Sequence, residues 1–193
     1  MNRWKAGFGA SLLSGPALLV LLLTAACAAP AAEGPDRPFG RTVSTRKGTR
    51  ALRAGFGTTL DPGSALLALG LQYAPTDHFA LAPEVHLGVE DDLFLVAPTL
   101  SLKNTFHPPL EVLRGWLAHV EGGAGFAYLD RDGAGGGDDD DTAFLLTAGA
   151  GLEWPLEEDV TLVSNFRGWW APGGILGEHT WFTWEVLGLK FYF

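Results

Sequence analysis

The chain has 193 residues with 22 acidic and 13 basic side chains, which give a net charge of −9 at pH 7. A negative surplus of this size argues against nucleic acid as a partner, and a single cysteine excludes a disulfide within the chain. The chain also combines 26 glycines and 7 tryptophans with one methionine, a balance that favours a β-barrel with aromatic girdles over a helical bundle.

Residues 1–28 are predicted to be a secretory signal peptide. A positively charged start precedes an apolar core at 16–26, which is too short to span a bilayer as a helix. Ala26-Cys27-Ala28 matches an A-x-A cleavage site, so cleavage would follow Ala28. Cys27 also stands where a lipoprotein signal places its acylated residue, although Leu23 lies one position too early for that motif. Ordinary cleavage and lipidation at Cys27 therefore both remain open.

The mature chain is predicted to start with a flexible leader and to continue as a series of strands. Residues 29–48 are rich in proline, alanine and charge, and we expect this leader to lie in the periplasm. Beyond it, clusters of Gly, Pro and Asp separate segments of alternating polarity, as turns separate strands. Eight strands are expected, which is the number in the smallest membrane barrels. They are predicted at 49–60, 65–74, 78–90, 93–106, 116–129, 142–154, 160–170 and 181–193.

The final strand shows the alternation most clearly. Counting back from Phe193, every second residue to Leu187 is apolar, whereas Tyr192, Lys190, Gly188 and Val186 form a mixed face. An unpaired apolar strand would promote aggregation in water, so this strand is expected to close a barrel whose outward face meets lipid.

Two prolines disturb the pattern of the central strands. Pro83 and Pro98 each remove a ladder hydrogen bond, and a closed barrel has no edge at which to place them. We expect a local bulge at each proline.

The stretches Gly-Ala-Gly-Phe-Ala-Tyr128 and Ala-Gly-Ala-Gly-Leu152, the strand count and the terminal Phe193 resemble the small eight-stranded outer-membrane barrels, of which OmpA and OmpX are familiar members. The resemblance covers about residues 49–193. It implies an all-β, eight-stranded antiparallel up-and-down transmembrane barrel in the outer membrane of a Gram-negative cell. The implied partners are outer-membrane lipids, lipopolysaccharide and the barrel-assembly machinery, which would recognise the last strand through Phe193.

The inward faces are predicted to carry a network of paired charges. Eight strands enclose a space only wide enough for side chains, and buried charges need partners. Mixed signs in nearly equal number favour a packed lumen over a conducting pore or an acid–base site. The predicted network comprises Arg53, Glu84, His86, Lys103, His119, Glu121, Glu153, Arg167 and Lys190.

No catalytic residues and no cofactor are predicted. Glu178-His179-Thr180 places an acid, a base and a hydroxyl together, but side chains of consecutive residues diverge and cannot form a relay. The His-x-Ser pattern of deacylase-type barrels is also missing from the late strands. A non-enzymatic structural or surface-contact role is therefore expected, with a lipid-modifying or lipid-binding barrel as the alternative. A soluble lipocalin-type barrel would require an apolar interior, whereas the alternation in this sequence places charges inside.

The tract at 130–141 is predicted to be a solvated acidic loop. Its aspartates, among them Asp130, Asp132, Asp138 and Asp139, are weak candidates for binding a divalent cation, because their spacing fits no EF-hand. Strand parity places this tract outside the cell if both chain ends lie in the periplasm.

Overall fold

The computed structural model describes residues 47–60, 63–90, 93–108, 110–113, 115–132, 138–175 and 177–193. The predicted signal peptide, Cys27 and the leader up to residue 46 lie outside the described residues. The strands are β1 Arg50–Leu60, β2 Gly63–Tyr73, β3 Phe79–Glu90, β4 Leu93–Phe106, β5 Leu117–Asp132, β6 Asp138–Pro155, β7 Val160–Ile175 and β8 Glu178–Tyr192. A short 3-10 helix, Glu111–Leu113, lies between β4 and β5. Among the described residues, no helix combines the length and the apolar character needed to cross a membrane.

Each strand pairs antiparallel with the next along the chain, and β8 pairs with β1, so the sheet closes into an up-and-down barrel. The predicted fold class and the predicted number of strands are confirmed. Every strand has two neighbours, which allows the backbone groups to be satisfied without water.

The two faces of the wall differ sharply in polarity. Burial alternates residue by residue, so that in β3 Leu81 and Val85 point outward while Glu84 and His86 point inward. Large apolar side chains are exposed on the outward face of every strand; Phe56, for example, is 62% exposed. An apolar outer surface of this extent suits contact with lipid tails and would be unfavourable in water.

The lumen has an apolar end and a charged middle. The end that holds the β5–β6 and β7–β8 hairpins is filled by an apolar cluster whose largest members include Trp169, Trp181, Leu145 and Ile175. The indole rings of Trp169 and Trp181 stack with their centroids 5.9 Å apart. The charged side chains described below lie between this cluster and the end where β1 begins and β8 ends.

Two hairpins are longer than predicted. β5 continues to Asp132 and β6 begins at Asp138, so Asp130 pairs with Asp140 within what was expected to be a loop. Likewise β7 continues to Ile175 and β8 begins at Glu178, beyond the predicted bounds of 170 and 181, with a register shift between Trp170 and Ile175. Turn-forming residues indicate where a chain can turn, but strand pairing depends on backbone groups and continues as long as the register allows.

The expected bulges at the prolines are wrong. Pro83 pairs with Leu100 and Pro98 pairs with Val85 in one unbroken register between β3 and β4. On their other sides, the ladders to β2 and β5 skip the residues around each proline and resume without a shift. A missing N–H group thus interrupts the pairing locally, and no extra residue is needed to accommodate it.

A bulge occurs instead in β8. The register of β8 against β1 and its register against β7 both shift beside Val186. Val186 and Leu187 are consecutive, yet both face outward, with exposures of 48% and 53%. The predicted placement of Val186 on the same face as Lys190 is therefore wrong. The extra residue reverses the parity of β8 before the bulge and turns Glu185 into the lumen, where it is 4% exposed.

Candidate functional site

The structure places all the predicted lumen residues inside the barrel. Each is at most 4% exposed, because each occupies an inward position of its strand. They come from strands on opposite sides of the barrel, so long side chains reach across the interior to meet. These residues are Arg53, Glu84, His86, Lys103, His119, Glu121, Glu153, Arg167 and Lys190.

Glu84 on β3 is the centre of the main cluster. Its Oε1 accepts hydrogen bonds from Arg53 Nη1 at 2.8 Å and from Lys103 Nζ at 2.7 Å. Its Oε2 accepts a hydrogen bond from Arg167 Nη2 at 2.5 Å. Three cations from β1, β4 and β7 therefore converge on one carboxylate, and each of these bonds is charge-assisted.

Glu121 on β5 is a second acceptor for the same cations. Its Oε1 accepts hydrogen bonds from Arg167 Nε at 2.6 Å and from Asn165 Nδ2 at 2.8 Å, and its Oε2 lies 3.2 Å from Lys103 Nζ. Arg167 and Lys103 thus each bridge Glu84 and Glu121. Charge alternates along this path, which satisfies ions that would be costly to bury alone.

His86 links the charged middle of the lumen to its apolar end. Arg167 Nη1 contacts the Nε2 atom of His86, and the imidazole stands edge-on to the Trp169 ring at 4.9 Å between centroids. Trp169 in turn donates from Nε1 to Thr183 Oγ1 at 2.9 Å. The polar and apolar parts of the lumen are therefore packed directly against each other.

A smaller cluster lies towards the end of the barrel where β1 begins and β8 ends. Lys190 Nζ donates to Glu153 Oε1 at 2.6 Å, and His119 Nδ1 lies 3.3 Å from the same oxygen. This geometry joins β5, β6 and β8 at the level where the described chain starts and ends.

Glu185 is a lumen residue that sequence reasoning missed. Arg53 donates to its carboxylate from Nε at 3.2 Å and from Nη2. Counting alternate residues back from Phe193 puts Glu185 on the outward face, where a lone carboxylate would meet lipid. That misfit was the available signal for a bulge between Glu185 and the end of the chain.

The buried charges balance when Glu185 is included. Among the described residues, the buried acidic side chains are Glu84, Glu121, Glu153 and Glu185, and the buried basic ones, histidines aside, are Arg53, Lys103, Arg167 and Lys190. Equal numbers of acids and bases leave the lumen without net charge when both histidines are neutral. A low-dielectric interior favours this arrangement strongly, because any surplus charge would lack a partner.

Glycines on neighbouring strands make room for the charged side chains. A Cβ atom added to Gly70 would lie 2.7 Å from Glu84 Cγ, and one added to Gly151 would lie 2.6 Å from His119 Cε1. At Gly149 the added atom would lie 3.0 Å from Glu121 Oε1. The inward glycines therefore leave open the space that these charged side chains occupy.

The remaining candidates lie outside this network. His179 in the Glu178-His179-Thr180 stretch is exposed, and its Nδ1 atom donates to the carbonyl oxygen of Ala171 at 3.2 Å. Among the residues whose positions are described, no three His, Cys, Asp or Glu side chains are grouped to hold a metal ion. On the backbone, Asp130 pairs with Asp140, and Asp132 and Asp138 face each other across the β5–β6 hairpin, with Asp139 opposite Arg131.

Phe193 lies just beyond β8. Its side chain is 73% exposed, and its backbone N–H donates to the carbonyl oxygen of Arg50 at 3.0 Å. The last residue is therefore held against the first strand by its backbone, while its ring is exposed.

A closed eight-stranded antiparallel barrel with an apolar outside and a charged, packed inside has the architecture of the small membrane β-barrels. No protein-family model and no curated protein matches the chain. Among solved structures, the N-terminal β-barrel domain of Pseudomonas aeruginosa OprF is 17% identical, with a TM-score of 0.62 over 76% of this chain and 98% of that chain.

Two further solved structures have the same fold. Neisserial surface protein A is 13% identical, with a TM-score of 0.57 over 75% of this chain and 96% of that chain. Ail, the attachment invasion locus protein of Yersinia pestis, is 15% identical, with a TM-score of 0.54 over 76% of this chain and 99% of that chain. At these identities the similarity establishes the fold, which is that of the small eight-stranded outer-membrane barrels.

The convergence on Glu84 generates a prediction about stability. Replacing Glu84 by alanine removes the acceptor shared by three buried cations, so the free energy of unfolding should fall by about 3–5 kcal/mol. Urea unfolding of the barrel in lipid vesicles measures this change. The matched control is Glu90→Ala at the exposed end of the same strand, which should change stability by less than about 0.5 kcal/mol. Equal unfolding midpoints for the two variants would contradict the importance of the network.

Proposed function

We propose that this protein is an integral outer-membrane β-barrel with a structural or surface-contact role in the cell envelope, and that it carries out no catalysis. The proposal is carried by the polarity of the barrel wall: its outer face is apolar, and its inner face holds equal numbers of buried acids and bases. Outer-membrane lipids and lipopolysaccharide are then the partners of the outer face. The ion pairs that cross the lumen join strands to one another, which suits a structural role.

The packing of the lumen supports a structural role over a transport role. Arg53, Lys103 and Arg167 reach from different strands to Glu84, so their side chains cross the interior. A solute moving through the barrel would have to separate these pairs, each of which is costly to break in a desolvated interior. The network thus favours a barrel that remains closed.

The orientation that we propose places both chain ends in the periplasm. The β5–β6 and β7–β8 hairpins, which lie at the opposite end, would then project from the cell. Long strands that pair beyond the membrane and carry charged residues are suited to contact with the surroundings. Ail is named as an attachment invasion locus protein, and its similar fold supports surface contact as a role for this chain.

The experiment that tests the proposal compares lipid A profiles and the fractionation of cells with and without the protein. We expect the protein in the outer-membrane fraction, with heat-modifiable mobility in gels, and an unchanged lipid A profile. A lipid A species that changes in proportion to the amount of protein would favour the lipid-modifying alternative. Recovery in the soluble periplasmic fraction would refute membrane residence.

The last residue should matter for assembly by the barrel-assembly machinery. Phe193→Asp replaces the exposed ring directly after the closing strand by a charge, so less of the protein should reach the heat-modifiable, folded form in cells. Val112→Asp is the control, because Val112 is 84% exposed in the 3-10 helix outside the strands. Normal insertion of the Phe193→Asp protein would count against a role for Phe193 in recognition.

Orientation is tested by epitope insertion. An epitope at Gly136, between β5 and β6, should be reached by antibody on whole cells, because this hairpin lies opposite to the chain ends. An epitope after Glu157, between β6 and β7, should be reached only after permeabilisation. The opposite labelling pattern would show that the barrel is inverted relative to the proposal.

A further inference from the structure

The seam between β1 and β8 differs from the other strand junctions. No turn connects these strands, so their register is set only when the barrel closes. The seam pairs Ala51 with Tyr192 at one end and Thr59 with Thr183 at the other. A slip of two residues would preserve the inward and outward faces, so the alternation of side chains alone does not select the register.

The bulge beside Val186 equips this seam with a buried carboxylate. In an unbulged strand, Glu185 would point to lipid; in β8 it points into the lumen. There it meets Arg53 of β1, which donates from Nε at 3.2 Å and from Nη2 in a forked arrangement. Forked arginine–carboxylate pairs are strong and require a specific geometry. This contact therefore depends on the relative position of the two strands.

The space for this carboxylate is provided by glycines on both sides of the seam. Gly55 of β1 and Gly188 of β8 are direct partners in the ladder. A Cβ atom at either position would overlap the Oε1 atom of Glu185. The carboxylate therefore occupies the space that this pair of glycines leaves open.

Arg53 connects the seam to the rest of the network. Its third nitrogen, Nη1, donates to Glu84 at 2.8 Å while Nε and Nη2 hold Glu185. Because Glu84 also binds Lys103 and Arg167, the position of Arg53 is fixed before the last strand docks if the first seven strands have assembled. A prepositioned guanidinium can then select the correct register of β8.

We propose that Glu185 is a closing latch: the bulge turns it inward so that its pairing with Arg53 over Gly55 and Gly188 fixes the register in which β8 meets β1. A slip of two residues would move the carboxylate about 7 Å along the seam and separate the pair. This role concerns barrel closure and goes beyond the proposed function, because it holds whatever the barrel does in the envelope.

The register is measured by two cysteine pairs in a Cys27→Ser background. Ala54 and Leu189 are direct partners on the outward face, so Ala54→Cys with Leu189→Cys reports the native register. Ala54→Cys with Phe191→Cys reports a slip of two residues. In the native register the second pair is too far apart for a disulfide, which requires Cα atoms less than about 7 Å apart.

The decisive variant is Glu185→Gln, folded from urea into lipid vesicles. We expect the yield of the slipped disulfide to rise about tenfold, because a charge-assisted pair no longer discriminates between registers. The matched control is Glu121→Gln, which removes an equally buried glutamate charge away from the seam and should retain only the native disulfide. The folded fraction of each variant is followed by heat-modifiable mobility.

Two outcomes would overturn the latch. The first is a Glu185→Gln protein that forms only the native disulfide with an unchanged yield. The second is equal slippage in Glu121→Gln, which would assign the register to the network as a whole. If Glu185→Gln does not fold, Gly55→Ala is the second variant: its added Cβ overlaps the Glu185 carboxylate, which should displace that group from the seam and produce the slipped disulfide. Its control is Gly63→Ala, where an added Cβ meets nothing within 4 Å.

Discussion

The interior of this barrel depends on one carboxylate shared by three cations. Glu84 receives Arg53, Lys103 and Arg167, and these side chains continue to further acids, so a single contact point connects β3 to most of the wall. A lumen of eight strands has no room for bulk water around each charge. Side chains must therefore solvate one another, and the position of each depends on the positions of the others.

The inward glycines and the buried charged side chains of the barrel fit against each other. The long side chains lie over glycines of adjacent strands, as Glu84 lies over Gly70 and Glu121 over Gly149. The glycines bring no side chain of their own into the lumen, and the charged residue fills the space that they leave. The glycine-rich inward faces and the buried charges therefore have the same origin, namely the narrow width of the barrel.

The features that sequence reasoning could predict are those set by local patterns. Alternating polarity and turn residues placed eight strands and assigned nine side chains to the lumen, because both signals act over a few neighbouring residues. Glu185 was missed because one extra residue at the bulge reverses parity for the rest of β8. The pairing across the aspartate tract and the unshifted register at Pro83 and Pro98 were also missed, because they depend on partner strands.

The balanced lumen has a consequence for how the barrel meets other molecules. Since the four buried acids and four buried bases cancel, none of the net charge of −9 originates there. A neighbouring protein or polyanion therefore senses only charges outside the lumen, whose field decays over a Debye length of about 8 Å at physiological ionic strength. Added salt should weaken mutual repulsion between crowded barrels in the plane of the membrane while leaving the cohesion of each barrel almost untouched.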